Sequence, residues 1–348
     1  LKTLGSLSAG LATLTSTQVQ AQGKTGVATT RPKAGKYMGD FIAPKLDKVK
    51  VAIIGVGARG SGHASQLAEI EGVQFVGIAD VVEARARKSE AAVTKFGHTP
   101  KIYFGDENGW RTMLAETKPD AVFIATPWST HAPMAIASMK AGAHAFVEVP
   151  MATTIKDLWE MVDTSEATGR HCMMMENVNY GREELLYLNM VRQGVLGDLL
   201  HAEAAYIHAL RFQMENGDST GSWRTFEYAK RNGNLYPTHG LGPVAQYMNL
   251  ARGEDNFGRI TSFSSPAKGR AAYAQKSTKL TSPKFKELDF KGGDINTSII
   301  KTQLGRTIMV QWDETTPRPY TRHNMIQGVN GVLAGFPNRI SVEGITSN

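Results

Sequence analysis

Apolar residues in the first half of the chain fall into short, mostly unbroken runs. Val51–Ile54 is a β-branched run that stops at a glycine, the pattern of a strand buried on both faces. Comparable runs lie at Val73–Asp80, Asp120–Thr126, His144–Val149 and His171–Glu176. Between them, helical spacing covers Ser61–Ile70, the stretch from Trp128 to Gly142, and Thr153–Thr168. Strand and helix alternating in this way predict a doubly wound parallel sheet, with ligands at the carboxyl ends of the strands. In the last strand Met173, Met174 and Met175 read as core filler. After Asn177 the period changes. A helix over Arg182–Arg192 is followed by alternating polarity at 201–210, 258–265, 294–304, 306–314 and 323–335. These read as successive antiparallel strands with one face toward solvent. Within 232–250 a helix opens at Pro237 and Thr238. The adjacent pair Glu183 and Glu184 reads as a solvated helix face, since neighbouring helix positions do not face each other.

The predicted fold class is therefore α/β, a doubly wound parallel sheet followed by an α+β domain with an open, mainly antiparallel sheet. A chain of 348 residues suits two such domains. The boundaries expected are 1–45 for an N-terminal segment, 46–177 for the parallel sheet and 178–348 for the second domain.

Charge and composition change this picture little. The net charge is +7, but Lys and Arg are scattered without basic runs or interleaved aromatics, which argues against nucleic acid as a partner. A single cysteine, Cys172, excludes intrachain disulfides and a Cys-rich metal site, so no metal is expected; it reads as a buried small hydrophobe. The first residues, LKTLGSLSAGLATLTSTQVQAQ, are weakly apolar and end in a small-residue site resembling a cleavage signal after Ala21. The stretch is too short and too polar to span a bilayer. It resembles the tail of a twin-arginine signal, so a periplasmic or envelope location is expected. A homo-oligomer is compatible with the sequence, which does not set the number of subunits.

Candidate chemistry begins where the first strand meets GVGARG. Gly55, Gly57 and Gly60 fill G-x-G-x-x-G between a strand and a helix, the context in which that pattern carries meaning. The glycines permit a tight turn and close approach of backbone to a pyrophosphate at a helix N-terminus. Asp80 ends the second strand twenty residues after Gly60, where a carboxylate accepts from ribose hydroxyls. A carboxylate there would repel a 2′-phosphate, so the cofactor expected is NAD bound to a Rossmann domain.

GVGARG, IAD, ATPWSTH and the EVP turn at 148–150 resemble the family of glucose–fructose oxidoreductase and inositol dehydrogenase. That family typically places lysine before the proline of this turn, to assist proton transfer. Here the position is Val149, which carries no proton. One branch is similar throughout, glycoside hydrolase family 109, the NAD-dependent α-N-acetylgalactosaminidases. The shared stretches are GVGARGSGH, EVPMATT, MMENVNYGREELLYLNMVRQGVLGDLLHAE, WRT at 223–225 and KRNGNLYPTHGLGPV. The resemblance implies cofactor contacts at Ala58, Arg59, Asp80, Trp128, Ser129, Thr130, His131, Glu148, Val149 and Asn177. It implies sugar contacts at Tyr206, Arg224, Tyr236, Pro237, Thr238, His239 and Tyr320, hence a small glycan as partner. Members of the family run on past this sheet, so a C-terminally truncated chain is expected.

The resemblance also implies a redox-neutral hydrolysis. The sugar is oxidised at C3, loses its C2 proton, expels the group at C1, takes up water and is reduced again, leaving NAD unchanged. Such a cycle needs a base at the C3 hydroxyl and another at C2. His239, a residue type suited to moving protons near neutral pH, is the first candidate, and Tyr180 the second. Tyr236 and His208 stand in reserve. The competing reading is an NAD-dependent sugar or polyol oxidoreductase. An exported enzyme meets little free NAD, so a recycled cofactor carried inside a folded protein agrees with twin-arginine export.

Overall fold

The computed structural model describes residues 36–216 and 221–346. The signal-like segment at the N-terminus falls outside the described residues. The first sheet is built from β1 (Val49–Ile54), β2 (Val73–Asp80), β3 (Lys101–Phe104), β4 (Ala121–Ile124), β5 (His144–Val147) and β6 (Cys172–Met174). Its helices are α1 (Gly60–Ala68), α2 (Glu83–Thr94), α3 (Gly109–Thr117), α4 (Trp128–Lys140) and α5 (Ile155–Thr168). All pairings are parallel, in the order β3-β2-β1-β4-β5-β6. The order reverses beside β1, so the crevice at that switch point lies directly above the glycine turn. Local chemistry sets the ends of α5: Thr154 accepts the Asp157 N–H at 3.1 Å, and Gly169 closes the helix at φ +62°.

Residues 81–119 carry α2, β3 and α3, three elements beyond those predicted; α2 buries only Ala86, Ser89 and Val93, whereas α3 carries Trp110, Met113 and Leu114 at helical spacing. The methionines of the sixth strand require a correction. β6 is an edge strand and Met173 is exposed, so it does not fill the core. Cys172 is partly buried against the core, and burial pushes its thiol up to about 12.

The second sheet contains β7 (Leu199–Ile207), β8 (Phe257–Ser264), β9 (Asn296–Thr302), β10 (Thr307–Asp313), β11 (Met325–Gly328), β12 (Gly331–Ala334) and β13 (Arg339–Val342). Its helices are α6 (Arg182–Arg192), α7 (Gly221–Lys230), α8 (Thr238–Tyr247) and α9 (Gly269–Lys276). The order is β13-β12-β11-β7-β10-β9-β8. Strands are mainly antiparallel, but β7 and β10 run parallel, because residues 208–306 intervene and return the chain in the same direction. The stretch 323–335, read as one strand, is the hairpin β11–β12.

The helix face of this sheet is lined by small residues. Ala202 and Ala204 leave room for Val244 and Tyr247 of α8 and for Tyr187 and Leu188 of α6, all buried. Burying a large apolar side chain here stabilises by about 1.5–3 kcal/mol. A Cβ at Gly240 would meet the Ala205 backbone at 2.3 Å, so glycine alone lets α8 lie this close to β7. The carboxylate pair at 183–184 also requires correction. Glu184 is 5% exposed and faces Arg322 Nη1 at 3.7 Å, whereas Glu183 is exposed. A buried carboxylate persists there because a guanidinium accompanies it.

Candidate functional site

The glycine turn is shaped for an anionic ligand. Gly55 has φ +84°, and a Cβ at Gly60 would stand 1.8 Å from the Gly55 carbonyl, so neither position admits a side chain. A Cβ at Gly57 would meet only the Arg85 guanidinium, at 4.0 Å, which leaves space above the turn. No side chain caps α1 and no acid occupies its first turn. Asp80 Oδ2 accepts the Val56 N–H at 2.8 Å, and Oδ1 accepts the Val82 N–H at 2.8 Å. The carboxylate is thereby fixed at the end of β2, beside the turn.

Glu148 ties this turn to the next one. Its Oε1 lies 2.7 Å from His63 Nε2 and 3.6 Å from Arg59 Nε, and its Oε2 accepts the Val149 N–H at 3.1 Å. Burial alone would raise the Glu148 carboxyl; the His63 bond, the Val149 N–H and the cations outweigh it and hold the group below its ordinary value. His131 is buried, with Nδ1 2.6 Å from the Pro150 carbonyl and Nε2 2.8 Å from the Thr126 carbonyl. Burial lowers its proton affinity, and a neutral ring has one N–H to share between the two carbonyls. His131 therefore clamps the β4–α4 turn to the 148–150 turn. Thr130 bonds Thr126 Oγ1 at 2.7 Å, and Ser129 is exposed beside it.

Opposite stands an aromatic wall. Val149 is buried and its carbonyl accepts the Tyr236 hydroxyl at 3.3 Å. Tyr236 stacks on Trp128, with centroids 5.7 Å apart and planes 20° apart. The Arg224 guanidinium lies over Trp128, Trp223 and Tyr236 at 5.2, 5.3 and 4.9 Å. Tyr206 packs on His239 at 4.7 Å and Tyr236 at 5.3 Å, and its hydroxyl bonds His208 Nδ1 at 2.9 Å. Tyr320 closes the rim 5.0 Å from His208. Burial raises the proton affinity of the Tyr206 and Tyr236 phenols and lowers that of His208, so all three are neutral near pH 7.

His239 occupies the centre of this group. Pro237 and Thr238 start α8 and point the imidazole at Glu176, whose Oε1 lies 2.8 Å from His239 Nδ1. Glu176 is 1% exposed, and the same Oε1 accepts the Val178 N–H at 2.8 Å. A carboxylate only accepts, so the Nδ1–H donates to it and Nε2 is left free of that bond. Glu176 also caps the short 3-10 turn Asn177–Tyr180, which joins His239 to both of those predicted residues. A Cβ at Gly242 would strike Asn179 Oδ1 at 2.7 Å, so this glycine admits the turn against α8.

The structure thus brings together Tyr206, Arg224, Tyr236, Pro237, Thr238, His239, Trp128 and Val149, with Tyr320 at the rim. Tyr180 stands apart: it is 58% exposed and belongs to no ring contact of the wall. Asn177 is likewise exposed.

Residues 180–348 match the family described as glycosyl hydrolase 109, C-terminal domain. Residues 49–176 match the oxidoreductase family with an NAD-binding Rossmann fold. A protein of Akkermansia muciniphila named glycosyl hydrolase family 109 protein 1 is 61% identical over 323 residues, covering 91% of this chain and 67% of that protein. A family 109 protein of Shewanella sp. is 55% identical over 345 residues, covering 99% of this chain and 74% of its own length. The chain belongs to glycosyl hydrolase family 109. In fold it is similar to levoglucosan dehydrogenase in complex with NADH and levoglucosan, with a TM-score of 0.66 at 19% identity over 86% of this chain and 78% of that one. Scyllo-inositol dehydrogenase of Lactobacillus casei gives a TM-score of 0.62 at 17% identity, over 82% and 76%. The first sheet of this family 109 chain is an NAD-binding Rossmann domain, and the open space at Gly57 with Asp80 beside it fits that cofactor.

Three members of the family 109 site escaped the sequence reading. Glu176 ends a predicted strand, where parallel sheets place ligands, and that position was its signal. His63 lies inside the quoted GVGARGSGH stretch, one helical turn past Arg59. Trp223 lies inside the WRT stretch at 223–225, where only Arg224 was assigned a role.

Proposed function

We propose that this chain hydrolyses terminal α-N-acetylgalactosaminides with bound NAD. The observation that carries the reading is His239, oriented by buried Glu176 and set in an aromatic wall opposite a 148–150 turn that has no lysine. When bound, NAD supplies an acceptor and later a donor of hydride at the sugar C3, and ends the cycle unchanged. The chain moves the protons. His239 Nε2 takes the proton of the C3 hydroxyl, and Glu176 stabilises the imidazolium through Nδ1. Tyr180, exposed on the turn that Glu176 caps and outside the wall, is the residue proposed for C2. Arg224 and the rings of Tyr206, Tyr236 and Tyr320 seat the sugar, with Pro237 and Thr238 beside His239. Val149 contributes a carbonyl that fixes Tyr236 where an ammonium is absent. Ala58, Arg59, Trp128, Ser129, Thr130, His131, Glu148 and Asn177 belong to the cofactor side. The proposal includes export of the loaded protein to the cell envelope.

The test is a panel of chromogenic α- and β-glycosides offered to the purified protein without added cofactor. Release from the α-N-acetylgalactosaminide, with no net NADH, is expected. Stoichiometric NADH with an oxidised sugar would make the chain a sugar oxidoreductase instead.

A further inference from the structure

Behind the aromatic wall lies a second, charged layer that the proposed cycle does not use. Glu314 follows β10 and is fully buried. Its Oε2 accepts the hydroxyl of Tyr228 on α7. Arg270 Nη2, from α9, lies 3.9 Å from the same oxygen and donates to the Glu314 backbone carbonyl at 3.2 Å. The Arg270 guanidinium also covers the Tyr228 ring at 3.7 Å. Tyr228 in turn meets Trp128 edge-on at 6.3 Å. Arg224 sits four residues earlier on the same face of α7 and covers that same indole at 5.2 Å. A chain of contacts therefore runs from Glu314 through Tyr228 and Trp128 to Arg224.

A hydrophobic residue at 314 would pack here without the desolvation penalty of a charge. Glu314 Oε1, Arg270 Nε and Arg224 Nε are moreover buried with no hydrogen-bond partner among the described residues. Such a costly arrangement suits a role in geometry better than one in stability. We propose that Glu314 is a positioning residue: it anchors Tyr228 and balances the Arg224 cation, and so holds Arg224 and Tyr236, packed on Trp128 of the cofactor side, in the register that receives the sugar. This rests on the reading of that wall as the sugar seat.

The groups facing Glu314 are Tyr228 and Arg224 from α7, Arg270 from α9, Tyr206 from β7, and Asp313 and Asp294 nearby. Burial pushes the Glu314 carboxyl up to about 7, with Arg224 pulling the other way. Its charge therefore changes across neutral pH. When neutral, it leaves Arg224 without this counter-charge, while Arg270 keeps Asp294 and Asp313, and the wall is free to spread.

The test is Glu314→Gln, with Glu314→Asp and Tyr228→Phe as companions. In the wild type KM should rise as pH falls from 8 to 6. Glu314→Gln should show the raised KM, about tenfold, at every pH, with kcat changed by less than about threefold. Glu314→Asp should restore part of the loss, and Tyr228→Phe should raise KM while keeping the pH step. One readout needs no substrate. A carboxyl whose folded pKa is raised contributes stability that is complete below its unfolded value and lost as pH rises through the folded one. The Tm of Glu314→Gln should therefore gain on the wild type between pH 5 and 8. If that gain appears while no glycoside is turned over, the buried charge stands and the reading of the wall fails. An unchanged KM in Glu314→Gln, or in Tyr228→Phe should Glu314→Gln not fold, overturns the proposal, as does a pH step that survives Glu314→Gln.

Discussion

Two histidine–carboxylate pairs flank the 148–150 turn, and they are alike in distance but not in surroundings. His63 and Glu148 meet at 2.7 Å with side chains 22% and 16% exposed; His239 and Glu176 meet at 2.8 Å with 11% and 1% exposed. Glu148 has a second cation, Arg59, at 3.6 Å. Glu176 instead shares its oxygen with a backbone N–H. The first pair is partly open to water, so separating it leaves both groups solvated. The second cannot separate without stranding a buried charge, a loss of about 3–5 kcal/mol against roughly 0.2–1 kcal/mol for an exposed pair. Burial thus separates a pair that fixes a tautomer from one that holds two loops together.

Substitutions should reproduce that order. His239→Ala should lower turnover by about 10²–10⁴ while NAD stays bound, because it removes a positioned acid–base group. An unchanged rate would return His239 to a packing role. Glu176→Gln keeps the shape but removes the charge that stabilises the imidazolium. A loss of about 10–10² in kcat with little change in KM is expected, measured across pH 5–9. A KM effect alone would mean that Glu176 only shapes the pocket. His63→Ala should weaken NAD by about three- to tenfold and leave kcat at saturating NAD almost intact. If it instead matched His239→Ala, the contrast between the pairs would be wrong. The smallest expected change is compositional: nucleotide released on denaturing the purified protein should be NAD, and release of NADP would contradict the role given to Asp80.

Legibility in the sequence followed the same division. The parallel sheet could be read because its central strands are mostly unbroken apolar runs and its turn demands glycine at Gly55 and Gly60. Helix α2 was missed because its buried face, Ala86, Ser89 and Val93, is small and partly polar; α3 bore a legible signal in Trp110, Met113 and Leu114 that went unused. In the second sheet each strand was visible by alternation, but the parallel pairing of β7 with β10 depends on where the intervening chain returns, which periodicity does not record. The wall was legible through family motifs around Arg224 and Tyr236. Glu176 had its strand-end position as a signal but no assigned role, and Glu314 had none, because a carboxylate in a sequence reads as solvated until packing shows which guanidinium or imidazole accompanies it. Glu184 misled for that same reason.

The central claim is that this chain's own residues remove a C2 proton during hydrolysis. Turnover in D₂O tests it most directly, with the product sugar examined by NMR for deuterium at C2. Deuterium at C2, together with slower turnover of substrate deuterated at C2 or C3 where either step limits the rate, is the expected result. A direct displacement by two carboxylates leaves both hydrogens in place. Product with no deuterium at C2, and no isotope effect at either carbon, would contradict the account and leave NAD a structural ligand.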